Sequence, residues 1–345
     1  MALTDYLSLT ARGETLTAQQ ARSAFSTIME GRADPLQIAG FLTSLSARGE
    51  TVHEIAGAAS VMREKAASLT APQGAIDTCG TGGDGHGTYN ISTAVAFVVA
   101  GAGVPVAKHG NRAASSKSGA ADVLAALGFD LDHAGPAQAQ RSLEEAGICF
   151  LMAPAHHAAM RHVVPVRQAL KVRTIFNLLG PLANPAGTKR QLIGVFDKSF
   201  LRPMAEALRE LGAEAATVVH GADGLDEVTT TAETHIAQLS EDGSITESIL
   251  TPEDAGLPRA SLTDLQGGTP QENANALSAL LDGTPGSYRD IVLFNSAVAL
   301  QVAGKAYDLT EAMQLAKNSI DNGAAKDKLE TLVRLSKDHD SVVII

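Results

Sequence analysis

Apolar positions recur with two different periods along this chain, and the period changes near residue 72. Before that point the spacing is helical. Thr17-x-x-Gln20 is a capping box, in which the Thr hydroxyl and the Gln side chain each accept from a free helix N–H. Ala21, Ala24, Phe25, Ile28 and Met29 follow on one face, and Gly31 stops the helix. Asp34-Pro35 opens a second helix, with Asp as N-cap and Pro in the first turn; it carries Leu36, Ala39, Gly40, Leu42 and Leu45 and ends at Gly49. Another capping box, Thr51-x-x-Glu54, starts a helix predicted to run to about Leu69, after which Pro72-Gln73-Gly74 marks a lobe boundary.

Beyond that boundary short apolar runs alternate with helical stretches. Strands are predicted at 75–79, 104–108, Ile148–Met152, 192–196 and 216–220, and helices at 93–102, 118–127, 137–146 and 201–211. Residues 229–248, with Asp242-Gly243 at their centre, read as an antiparallel hairpin, and the chain after Glu272 reads as helical. Alternation of this kind implies a largely parallel sheet covered on both faces. The predicted fold is therefore α/β: a small all-helical N-terminal lobe (residues 1–72, joined by part of about 160–190) and a large α/β lobe (73–345) with a central, mainly parallel sheet flanked by helices.

Composition changes this picture little: 45% of the 345 residues are hydrophobic and 19% charged, ordinary for a globular protein. The net charge of -11 argues against a nucleic-acid partner, whose phosphates need a basic face. The longest nearly apolar run, 94–107, is too short and glycine-rich to span a bilayer, and Met1-Ala2-Leu3-Thr4-Asp5 lacks the basic and apolar parts of a signal peptide. The two cysteines, Cys79 and Cys149, lie in or beside apolar strand-like runs and read as small buried hydrophobes of a reducing compartment. A cytoplasmic protein is expected.

Candidate chemistry gathers at strand ends. Asp77-Thr78-Cys79-Gly80-Thr81-Gly82-Gly83-Asp84-Gly85-His86-Gly87 leads from a strand into a helix N-terminus, where unpaired N–H groups bind phosphate. The loop fits neither G-x-x-x-x-G-K-[ST] nor G-x-G-x-x-G well, so it is a phosphate cradle of another kind. Asn90-Ile91-Ser92-Thr93 then offers small polar groups to cap the helix or touch the anion. Lys108-His109-Gly110-Asn111-Arg112, again after a strand, and Ser115-Ser116-Lys117-Ser118-Gly119 add cations and hydroxyls. The adjacent carboxylates Asp226 and Glu227, in a glycine-flanked loop, are hard oxygen ligands suited to Mg²⁺ together with substrate phosphates. The stretch from Met152 to Pro185 holds His156-His157, Arg167 and Arg173. Its prolines and glycines predict an irregular segment crossing back to the helical lobe, with the two arginines as partners for a carboxylate ligand.

In order and spacing, GTGGD, N-I-S-T, KHGNR with S-S-K-S-G, PVR…RTIFN…GPLANP and HGADGLDE resemble the anthranilate phosphoribosyltransferases of tryptophan biosynthesis. The resemblance runs from the N-terminal helices to about residue 330. It implies transfer of a phosphoribosyl group from phosphoribosyl pyrophosphate (PRPP) to anthranilate, with Mg²⁺, by a homodimer joined through its helical lobes. Gly80, Gly83, Asp84, Thr88, Asn90, Ile91, Ser92 and Thr93 would hold PRPP, continued by Lys108, Gly110, Asn111, Arg112, Ser115, Ser116 and Ala120. Ala120 stands where many members have a Ser that touches PRPP. Ser92, Asp226 and Glu227 would carry the metal, and Gly80, Asn111 and Arg167 would contact anthranilate. Lys108, His109 and Asn111 would be catalytic, His109 either by orienting or deprotonating the amine or by buttressing the loop. Pyrimidine nucleoside phosphorylases share GTGGD-like loops and the fold, but their chemistry uses inorganic phosphate and needs no Asp226-Glu227 pair.

Overall fold

Both capping boxes form. The computed structural model describes residues 2–112 and 117–338. Its N-terminal lobe consists of α1 (Leu3–Ala11), α2 (Ala18–Met29), α3 (Pro35–Arg48) and α4 (Val52–Glu64). The Thr17 and Thr51 hydroxyls accept from the Gln20 and Glu54 N–H groups at 3.2 and 3.3 Å. Helix α2 packs so closely on α4 that a Cβ at Gly57 would stand 2.6 Å from the Ala18 carbonyl oxygen. α4 ends at Glu64, short of the end expected near residue 69, because the backbone beyond it finds partners elsewhere. The Ala67 N–H bonds to the His156 carbonyl at 2.9 Å and that of Thr70 to the Gln140 side chain at 2.9 Å.

The α/β lobe is built on one seven-stranded sheet in the order β3-β2-β1-β4-β5-β6-β7. Its strands are β1 (Ile76–Gly80), β2 (Val106–Gly110), β3 (Ile148–Met152), β4 (Arg190–Gly194), β5 (Ala215–Gly221), β6 (Thr234–Leu239) and β7 (Ile245–Leu250). The first five run parallel, and the last two add the antiparallel hairpin expected around Asp242-Gly243. The central strands read as continuous apolar runs because helices cover both faces. The chain moves outward from β1 to β3 and then returns to place β4 on the other side of β1, with Gly80 opposite Gly194. Such a reversal opens a crevice at the carboxyl ends of the strands, where α/β sheets bind ligands.

The two faces have different covers. On one, α5 (Ile91–Gly101), apolar all round, packs with the helices Ser287–Val302 and Ala324–Ser336. On the other, one hydrophobic cluster runs from Phe25 and Phe41 in the N-terminal lobe through Phe176 to Ile193, Val195 and Val218 in the sheet. The segment after β3 is less irregular than its prolines predict. It forms short helices at Ala153–His156, Val164–Leu170 and Phe176–Leu182, with Pro154 and Pro165 in first turns, where the missing N–H breaks no helical bond. Phe176 meets Phe25 of α2 edge-to-face at 5.7 Å. Among the described residues, no helix is long and apolar enough to cross a membrane.

Candidate active site

Three loops leave the carboxyl ends of β1, β2 and β5 at the crevice, and hydrogen bonds lace them together. Gly82 and Gly83 hold φ of +65° and +80°, a turn that an L side chain resists. That turn aims the Gly82 N–H at the Asp226 carboxylate, 2.7 Å away. Asp226 comes this near only because the strand ends carry no side chains. A Cβ at Gly80 would stand 2.4 Å from its Oδ2, and one at Gly194 would stand 1.5 Å from its carbonyl oxygen.

Lys108 projects from β2 beneath the same loops, buried, with its ammonium bonded to the Thr78 carbonyl and to the Ser92 hydroxyl at 3.2 Å. The Ser92 N–H, at the start of α5, favours the ionised form of the nearby Glu227 carboxyl. Thr78, Ser92, Gly194 and Glu227 thus enclose one narrow crevice. Asp226 and Glu227 are half-buried. Burial raises both pKa values. Asp84 adds to the rise for Asp226, and Asp226 itself adds to it for Glu227, while Lys108 pulls both down. Two carboxylates in that position call for a cation. Their hard oxygens suit Mg²⁺, which takes one or two carboxylates and completes its octahedron with water and substrate phosphate. Among the described residues no group of three or more His, Cys, Asp or Glu gathers as a metal site.

The remaining residues singled out in the sequence fall into separate groups. Thr88 pairs with Gln266 in an isolated bridge, and Asp84 accepts from the His86 N–H at 3.3 Å. Asn90 precedes α5 but does not cap it: its amide donates to the Ser118 carbonyl at 3.2 Å and accepts from Asn273 at 2.8 Å. Ile91 and Thr93 turn into the core, so only their backbone is free to meet a ligand. Asn111 and Arg112 are exposed beyond Gly110, the Arg112 guanidinium standing 3.6 Å from Asp122, and Ala120 begins the helix Ala120–Ala126. Ser115 and Ser116 lie outside the described residues. Arg167 is half-buried with its guanidinium 5.7 Å from the Phe176 ring centre. It is Arg173 that touches the glycine loop, donating to the Gly83 carbonyl while lying 4.1 Å from the centre of the Phe196 ring.

His109 is enclosed. Its Nδ1–H donates to the Gly180 carbonyl at 3.1 Å, its ring centre lies 5.2 Å from that of His157, and its Nε2 is buried without a partner. Burial, with His157 close by, pushes its pKa down to about 3, and burial with His156 close by pushes that of His157 to about 4. Both rings are neutral at physiological pH. Cys79 and Cys149 are free and buried, and burial raises both thiol pKa values, as expected of small hydrophobes.

Some roles at the site escape sequence reasoning. Asp77, fully buried in β1, accepts from the His109 N–H at 3.1 Å and from the Asn184 amide at 2.7 Å; Asn184 also donates to the Ala107 carbonyl at 2.8 Å. A carboxylate inside an otherwise apolar strand was the available signal. Gly194 and Asn295, whose amide grips the residue after Glu227, gave none.

A helical bundle joined to an α/β lobe with a glycine loop at its switch point defines a class of transferases. The family model described as "Glycosyl transferase family, helical bundle domain" matches residues 4–66, and that described as "Glycosyl transferase family, a/b domain" matches residues 72–326. Anthranilate phosphoribosyltransferase of Parvibaculum lavamentivorans is 57% identical over 343 residues, 99% of this chain and 100% of the relative. That of Rhodospirillum rubrum is 57% identical over 95% of this chain and 94% of its own. Among solved structures, anthranilate phosphoribosyltransferase of Thermus thermophilus superposes with a TM-score of 0.91 at 45% identity, covering 96% of this chain and 99% of that one. The Saccharomyces cerevisiae enzyme in complex with PRPP and Mg gives 0.88 at 27% identity over 97% of both chains. The chain belongs to the anthranilate phosphoribosyltransferase family.

Proposed function

We propose that this enzyme transfers the phosphoribosyl group of PRPP to the amine of anthranilate, giving N-(5-phosphoribosyl)anthranilate and pyrophosphate in tryptophan biosynthesis. The observation that carries the site assignment is the Gly82–Asp226 hydrogen bond, which joins the phosphate-type loop to the acidic pair across the switch point. In the reaction the anomeric C–O bond breaks, pyrophosphate leaves with its electrons, and the amine nitrogen forms the new bond and sheds a proton. An aryl amine is unprotonated at neutral pH, so no strong base is required. The residues bind, orient and neutralise charge instead.

In this reading the N–H groups of Gly83 and the start of α5 face the phosphates, with Asp84, Thr88 and Asn90 around them. Lys108 stabilises the acidic pair and the charge on the leaving group. Asp226, Glu227 and Ser92 hold Mg²⁺, which when bound supplies positive charge to the departing pyrophosphate. Asn111 and Arg167 orient anthranilate, Arg167 through its carboxylate. The Nδ1–H bond of His109 to Gly180 supports the buttress role: the ring props β2 against the segment that carries Arg167 and Asn184. We also infer that residues 160–190 act with the helical lobe. Two copies then associate through that lobe, where Leu36, Val164 and Val172 are 82%, 39% and 56% exposed. Light scattering should give twice the mass of one chain, and the mass of a single chain would remove the dimer. The phosphorylase alternative is not favoured, since the relatives at 57% identity carry the transferase name.

The test of function is loss of anthranilate fluorescence on mixing the protein with PRPP, with and without Mg²⁺. Loss that needs both substrates and Mg²⁺ is expected. No loss in a folded sample, with release of base from a pyrimidine nucleoside and phosphate, would transfer the chain to the phosphorylase reading.

A further inference from the structure

Asn295 lies in the middle of the helix Ser287–Val302, fully buried. Asparagine is a poor residue for a helix interior, because its amide competes for backbone groups, and a buried amide needs all its partners. Here the partners lie mostly outside the helix. Oδ1 accepts from the Val228 N–H at 2.9 Å, while Nδ2 donates to the Val228 carbonyl at 2.7 Å and to that of Ile291 at 2.8 Å. One side chain therefore holds both backbone polar groups of a single residue, and that residue directly follows Glu227. The loop is fastened nearby by Asp223, whose carboxylate accepts from the Leu225 N–H at 3.1 Å and from the Thr229 hydroxyl at 2.6 Å.

We propose that Asn295 is a positioning residue for the acidic pair, fixing Val228 so that Asp226 and Glu227 converge on one cation. The role rests on the Mg²⁺ reading above. Left to themselves, two half-buried carboxylates in adjacent positions repel, and the loop would relieve the repulsion by splaying. The grip opposes that. Its anchor is a helix buried along most of its length in the larger core, so the loop takes its direction from a rigid part of the lobe.

The measurement is Mg²⁺ affinity by isothermal titration in saturating PRPP, without anthranilate, so that nothing turns over. Asn295→Ala is expected to weaken Mg²⁺ about tenfold, as removal of outer-sphere partners does elsewhere, with the KM for anthranilate unchanged. Glu227→Gln is titrated alongside. Normal affinity there would sink the metal reading itself, whereas loss in Glu227→Gln with normal affinity in Asn295→Ala overturns the positioning role alone. Ser296→Ala removes the neighbouring buried hydroxyl, which has no hydrogen-bond partner, and tests for loosened helix packing. Equal weakening in that variant assigns the effect to the helix and also overturns the proposal. If Asn295→Ala does not fold, Asn295→Ser replaces it. Hydrogen exchange on the unaltered chain gives an independent answer: the Val228 amide must be protected, and rapid exchange there contradicts the grip.

Discussion

At Gly194 the site depends on an atom that is missing. The loop after β5 crosses the end of β4 so closely that an added Cβ would overlap the Asp226 carbonyl carbon and oxygen, at 2.3 and 1.5 Å. Backbone, unlike the tip of a flexible side chain, has nowhere to go. Gly194→Ala must therefore push Asp226 away from the Gly82 N–H and from its place beside Glu227. Displacement of about 1 Å at a reacting centre costs on the order of 100-fold in rate. The expected outcome is a folded enzyme with kcat/KM lowered by about that factor, read from anthranilate fluorescence. Activity within about twofold of the parent would mean the loop can shift without harm, and that its position is not what the chemistry needs. Gly82 differs: open space surrounds it, and it is constrained by its φ of +65° instead.

At the scale of elements, the segment 171–176 ties the helical lobe to the glycine loop. The Arg173 carbonyl accepts from Ser46 of α3 at 3.0 Å, and its guanidinium lies over Phe196 and donates to the Gly83 carbonyl. An exposed contact of this kind contributes about 1 kcal/mol. Arg173→Ala is thus expected to raise the KM for PRPP about fivefold with kcat little changed, since 1.4 kcal/mol corresponds to about tenfold. Steady-state kinetics with PRPP varied decides it, and a fall in kcat at constant KM would place Arg173 in the chemistry instead. The elements themselves were largely legible. Strands buried on both faces read as apolar runs, and the glycines at strand ends announce loops that need φ > 0. Prolines misled after Met152, because Pro154 and Pro165 start helices rather than break them. Asn295 and Gly194 were illegible for another reason. Their roles arise from contacts with residues 228 and 226, distant along the chain, and no local pattern encodes such a meeting.

The whole molecule joins its two lobes through one apolar cluster, and beside the seam it buries uncharged imidazoles. His156 bonds to the Ala67 carbonyl at 2.7 Å, and His109 and His157 face each other behind the site. For His157 the folded pKa is about 4, lowered by burial and by His156, against an ordinary 6.5. Between those values the unfolded chain binds the proton and the folded chain does not. Stability therefore falls as pH falls from 6.5 toward 4, and the histidine has no such effect above 6.5. Asp77, Asp226 and Glu227 act oppositely, because burial raises their pKa values and the folded state holds the extra protons. The net pH profile mixes the two, so a single curve is uninformative. Comparing the parent with His157→Gln by urea denaturation at several pH values isolates one term. The parent should lose stability relative to the variant with a slope approaching about 1.4 kcal/mol per pH unit in that window, and the two curves should run parallel above pH 6.5. Parallel curves throughout would mean that the ring is protonated in the folded state, and that the seam beside the site tolerates charge.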